Sequence, residues 1–133
     1  LIVIDTSALV IFLTHHGVTG SAVRKRLSEA VTAYAPTLID YEIESALLGM
    51  QRGGKLTEKQ VTKAMADFTA LLLDKHDTLA LWERVRVLDA NLSAYDAQYV
   101  ALAESLGVPL VTCGARIKRS GAAKCTIEVF SSN

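Results

Sequence analysis

The chain opens on Leu1-Ile2-Val3-Ile4, four aliphatic residues in succession, and that run ends on the carboxylate of Asp5. A strand with one wet face alternates apolar with polar residues, so an unbroken aliphatic run predicts a strand covered on both faces. Sheets of that kind are parallel and carry helices on both sides. They bind ligands beyond the carboxyl ends of their strands, where strand order reverses. Asp5 falls at such an end, and Thr6 or Ser7 is placed to cap the helix that follows. The position also suits an aspartate that only caps the helix, and this stretch alone does not separate the two roles.

The remaining chain alternates in the same way. Ala8 to Leu13 continues the first helix and His15-His16-Gly17 breaks it; two neighbouring loop histidines without further ligands make a poor metal site. Ser21 to Ala30 carries Ala22, Val23, Leu27 and Ala30 at helical spacing, and Val31 to Ala35, closed by Pro36, reads as a second strand. Thr37 and Asp40 resemble a capping box for a helix running to Gly53-Gly54, and Thr57 with Gln60 forms a second box for the next helix. Asp74 to Thr78 is a polar break, and Leu79 to Asp89 is amphipathic around Trp82, Val85 and Leu88. Ser93 caps a helix that ends at Gly107, Leu110 to Cys113 is a further buried strand, and Thr126 to Phe130 is the last. Strands alternating with helices over residues 1–133 predict one α/β domain of three layers with a mainly parallel central sheet.

Composition narrows the function classes. Half of the 133 residues are hydrophobic, enough for one core, and Lys plus Arg equals Asp plus Glu at 14 each. Bulk attraction to nucleic acid or to an anionic membrane is therefore not indicated, and any such binding must come from local patches. No apolar run approaches the length of a bilayer crossing, and the N-terminus lacks the basic flank and cleavage site of a signal peptide, so a cytoplasmic protein is expected. Cys113 and Cys125 fit no zinc or redox spacing.

Two further acids stand where a core should be. Ile39, Ile43, Ala46, Leu47 and Met50 share one helix face and Glu42 falls inside that stripe, whereas Glu44 falls outside it. An ionised carboxylate there needs a compensating partner, unless it only forms a buried salt bridge or snorkels at the edge of the stripe. Asp96 shares an apolar face with Tyr99, Val100 and Ala103, in the first turn where the helix dipole favours an anion; as the acidic member of a Ser-x-x-Asp box it also has a purely structural reading. Packed together, Asp5, Glu42 and Asp96 would repel unless a cation joined them. A hard divalent ion such as Mg²⁺ prefers oxygen ligands, keeps several waters, and can polarise a phosphoryl oxygen while activating one of those waters. The implied chemistry is that of a metal-dependent nuclease. RNA contact would fall to Arg116, Lys118 and Arg119, which follow the strand Leu110 to Cys113, unless these form only a solvated helix face.

The motifs Ile-Asp5-Thr-Ser-Ala-Leu, Ala-Pro36-Thr-Leu-Ile-Asp-Tyr-Glu42-Ile, Asn-Leu-Ser-Ala-Tyr-Asp96-Ala-Gln-Tyr-Val and Leu-Val-Thr112 resemble, in order and spacing and over essentially the whole chain, those of PIN-domain ribonucleases of the VapC toxin type. The resemblance implies a PIN-like sheet of about four to five strands, with a short edge strand near Leu72 to Thr78. It implies a Mg²⁺- or Mn²⁺-dependent endoribonuclease acting on tRNA, rRNA or mRNA. It also implies a homodimer, neutralised by a cognate VapB-type antitoxin. On the same grounds Asp5, Glu42 and Asp96 match the family's metal-binding catalytic acids, and Ser7 and Thr112 match polar residues lining the site. The family usually carries a fourth acid two residues after that threonine; here Gly114 stands in its place. A catalytically weak or silent PIN-like domain that binds antitoxin or RNA without cutting is therefore the alternative. A receiver-like phosphoryl-transfer domain would want an acidic pair and a lysine after the last strands, and neither pattern is evident.

Overall fold

The computed structural model describes residues 1–131, and Ser132 and Asn133, the last positions of the expected domain, lie outside the described residues. Five strands form one sheet: β1 (Ile2–Ile4), β2 (Ala33–Pro36), β3 (Asp74–His76), β4 (Leu110–Thr112) and β5 (Ile127–Val129). Their order is β3-β2-β1-β4-β5 and every neighbouring pair is parallel. The helices are α1 (Thr6–Thr14), α2 (Val18–Glu29), α3 (Ile39–Arg52), α4 (Glu58–Ala70), α5 (Trp82–Leu88, after a 3₁₀ turn at Leu79–Leu81), α6 (Ala94–Leu106) and α7 (Arg116–Ser120).

The aliphatic opening behaves as its composition requires. Ile2, Val3 and Ile4 have no exposed surface, so β1 is covered on both faces and lies at the centre of the sheet. Helix α6, whose Tyr99 to Ala103 are all buried, packs on β1, β2 and β4, and α1 packs on β4 and α3. From β1 the chain winds outward to β2 and β3, then returns to add β4 on the other side of β1. The reversal lies between β1 and β4, at whose carboxyl ends Asp5 and Thr112 stand. This is the crevice in which open parallel sheets bind ligands.

Several boundaries differ from the sequence expectation, each for a physical reason. The helix after β1 is capped by Asp5 itself, whose Oδ1 accepts the Ala8 N–H at 3.0 Å, and not by Thr6 or Ser7. Helix α2 begins at Val18, before Ser21, with Gly17 as its N-terminal neighbour. The Thr37/Asp40 box does not form: α3 starts after Leu38 without a side-chain cap, because the Asp40 carboxylate pairs with Lys75 on β3 at 2.7 Å. The polar break Asp74 to Thr78 contains β3, whose exposed, charged composition is that of an edge strand. The Thr57/Gln60 box, the Ser93 cap and the left-handed Gly107 stop (φ 68°) are as the spacing predicts. Cys113 and Cys125 are free, half-buried thiols whose pKa is pushed up to about 11 by burial, which makes neither a nucleophile at neutral pH.

Candidate active site

Asp5, Glu42 and Asp96 reach one cleft from three elements: the end of β1, the first turn of α3 and the first turn of α6. The cleft has a volume of about 620 Å³, with Thr6, Ser7, Tyr99 and Arg116 among its polar lining and Val10, Leu38, Tyr41 and Ala46 among its apolar wall. Burial of Asp5 raises its pKa; the hydroxyls of Thr112 and Ser7 and the Ala8 N–H oppose this, and the Asp96 charge adds to it. A buried carboxylate of this kind needs a cation nearby to remain ionised without cost.

Hydrogen bonds hold Asp5 in place. Ser7 Oγ donates to Asp5 Oδ1 at 2.7 Å, so its single proton is used. Ser7 Oγ also lies 3.1 Å from Thr112 Oγ1 and accepts the Cys113 N–H at 3.0 Å, while the Thr112 hydroxyl favours the charged form of Asp5. These contacts tie the end of β4 to the end of β1. Thr112 is buried behind Ser7 and does not itself line the cleft.

Glu42 is held by two hydroxyls. Thr6 Oγ1 donates to Glu42 Oε1 at 2.8 Å and the Tyr99 hydroxyl donates to the same oxygen at 2.6 Å, with Thr6 and Tyr99 themselves 2.9 Å apart. Burial, and then the bond to Glu42, keep the Tyr99 phenol protonated far above its ordinary range, so it acts as a fixed donor. Among the described residues the partners of Glu42 are thus two neutral hydroxyls and no salt bridge. Thr6 and Tyr99 were not read as site residues; the only signal was a tyrosine on the apolar face that also carries Asp96.

Asp96 meets Arg116, whose Nε donates to Oδ2 at 2.6 Å and whose terminal nitrogen donates to Oδ1 at 3.0 Å. Of the three basic residues expected to contact RNA, Arg116 alone lines the cleft; Lys118 and Arg119 are exposed on α7 outside it. Gly114 has ordinary backbone geometry, and nothing lies within 4 Å of where a side chain would begin.

Among the described residues no group of three or more His, Cys, Asp or Glu side chains stands arranged to hold a metal ion, and Arg116 engages Asp96 while two hydroxyls hold Glu42. The donor set nevertheless suits a hard cation: three carboxylates opening on one cleft, with no thiolate or imidazole among its lining residues.

An open parallel sheet with acids lining a cleft at its switch point defines a doubly wound α/β domain with an acidic crevice. Residues 2–122 match the sequence model of the PIN domain. Over 129 residues the chain is 36% identical to Ribonuclease VapC9 of Mycobacterium tuberculosis, a match covering 97% of this chain and 98% of that protein. The chain belongs to the PIN-domain family, in its VapC-type ribonuclease branch. Among solved structures, PAE2754 from Pyrobaculum aerophilum superposes with a TM-score of 0.68 at 24% identity, over 96% of this chain and 83% of that one. VapBC2 from Rickettsia felis, bound to a DNA fragment from its promoter, gives 0.68 at 15% identity, over 97% and 98%.

Proposed function

We propose that this chain is an endoribonuclease toxin that cuts RNA phosphodiester bonds with the help of Mg²⁺ or Mn²⁺. The observation that carries the reading is the meeting of Asp5, Glu42 and Asp96, from three distant segments, in one cleft at the switch point of the sheet. When bound, the ion would supply Lewis acidity toward a phosphoryl oxygen and lower the pKa of an attacking water. The chain's own residues do the rest. Ser7 and Thr112 orient Asp5, Thr6 and Tyr99 orient Glu42, and Arg116 brings the one cationic side chain of the cleft to where a phosphate would enter. Lys118 and Arg119 on α7 would extend that attraction along the strand of RNA.

The name of the mycobacterial relative supports RNA as substrate, with tRNA, rRNA and mRNA as the candidate targets. The VapBC2 complex supports a VapB-type antitoxin as neutralising partner. Among the described residues no helix is long and apolar enough to cross a membrane, and we assign the toxin to the cytoplasm, where its RNA substrate is. Exposed apolar side chains on several elements, Leu48, Trp82 and Val87 among them, support a homodimer.

The test is cleavage of RNA by the purified protein with Mn²⁺, with Mg²⁺ and with EDTA. Cleavage in either ion, absent in EDTA and reduced at least about 100-fold in Asp96→Asn, is the expected result. Tight RNA or antitoxin binding without cleavage in any condition would favour the binding-only alternative that Gly114 raises.

A further inference from the structure

Among the described residues there are three bidentate arginine–carboxylate pairs, and one of them is unlike the others. Arg26 with Glu128 and Arg84 with Glu104 each join distant elements through guanidinium groups on largely covered side chains, 24% and 27% exposed. Arg116 is 71% exposed, yet its partner Asp96 is only 14% exposed and opens on the cleft. The arginine reaches in from solvent and buries little of itself, so leaving would disturb no packing. While it stays, both oxygens of Asp96 accept its N–H groups. Arg116 lines the same cleft as Asp5 and Glu42, whose charges also favour its own.

Resting on the reading of these acids as a divalent-ion site, we infer that Arg116 is the resident counter-ion of the metal-free cluster, that a divalent ion must displace it from Asp96, and that the displaced guanidinium then binds an RNA phosphate. An ion on the cleft side of Asp96 would face a guanidinium fixed on the same carboxylate, like charge against like, so the two compete for it. Released, the same side chain remains at the cleft mouth on a five-residue helix and keeps the fork geometry that suits a phosphate's oxygens. Ion binding and substrate binding would then be linked through one arginine: the ion frees the group that grips the RNA.

Calorimetric titration of Mn²⁺ into wild type, Arg116→Gln and Arg116→Lys tests this, with thermal melts in EDTA alongside. The expected result is Mn²⁺ binding about fivefold tighter in Arg116→Gln, in line with the loss of one partly exposed competing ion pair, and an intermediate affinity for Arg116→Lys. Arg116→Gln should also melt lower in EDTA, where the acids lose their counter-ion, and in Mn²⁺ it should bind a non-cleavable 2′-O-methyl RNA oligonucleotide more weakly than wild type. Equal or weaker Mn²⁺ binding by Arg116→Gln overturns the competition, and unchanged oligonucleotide binding overturns the hand-over to phosphate. If wild type and all variants fail to bind Mn²⁺, the metal-site reading itself falls and this inference with it.

Discussion

Asp5 has two tasks that conflict. Its Oδ1 caps α1, which any short polar side chain could do, and on the function proposed above its charge must be kept in a buried position to receive a divalent ion. Because burial raises its pKa above the unfolded value of 3.8, the native state binds more protons than the unfolded chain between those two values. Stability from this group therefore falls as pH rises through that window. Asp5→Asn keeps an acceptor for Ala8 and removes the charge. It should melt a few degrees above wild type in EDTA at pH 7, with the difference shrinking toward pH 4, while Mn²⁺ binding is lost. Melting curves across that pH range check the sign.

Gly114 is the residue-scale departure from the family. Its backbone φ is not positive and an added Cβ would meet nothing within 4 Å, so an aspartate fits without strain. Gly114→Asp should tighten Mn²⁺ binding and raise cleavage, and lower the melting temperature in EDTA by adding like charge to the cluster. Unchanged cleavage and melting would mean that position 114 does not face the cleft. The three acids themselves were legible because each breaks an apolar pattern. Thr6 and Tyr99 were not, since a tyrosine on a buried stripe is ordinary core and nothing local tells where its hydroxyl ends. The Arg116–Asp96 pair, 20 residues apart, forms only in the folded chain, and nothing local in either segment announces it.

At the scale of elements, the Arg84–Glu104 pair joins α5 to α6. Arg84 Nε and a terminal nitrogen meet the two Glu104 oxygens at 2.7 and 3.0 Å, the Lys124 N–H donates to the same carboxylate at 2.7 Å, and Arg84 also donates to the Ala122 carbonyl at 3.2 Å. Burial alone would raise the Glu104 pKa; Arg84 and the Lys124 N–H outweigh it and hold the carboxyl below its ordinary 4.5. This contribution is fully present above pH 4.5 and is lost as pH falls through the lowered folded value. Arg84→Gln should cost about 1–2 kcal/mol, read as a lower denaturation midpoint at pH 7 with a smaller deficit in acid. Periodicity placed most elements and missed those decided by partners. The Thr37/Asp40 box lost to an ion pair across to β3, and β3 is too short and too polar to stand out before its pairing with β2 is known.

For the whole molecule, the winding of the sheet puts every strand's carboxyl end on one side, so the acids and Arg116 share a single face. Fold class was readable from the alternation of strands and helices, but strand order was not, because several windings satisfy the same alternation. The apolar side chains left exposed elsewhere, among them Leu48, Trp82 and Val87, lead to the expectation of a dimer. Sedimentation at micromolar concentration should give twice the mass of the 14.3 kDa chain, and a monomer would count against it.

The link from Ser7 to Thr112 joins residues 105 positions apart, and Asp96 and Arg116 also come late in the chain. During synthesis the first strand emerges long before the strand that completes its other side. A growing chain therefore cannot assemble its cleft until the segment that carries Thr112 and Arg116 has left the ribosome. A chain ending at Val108, which lacks β4 and β5, should accordingly show no cooperative melting and no cleavage; a folded, active fragment would contradict this.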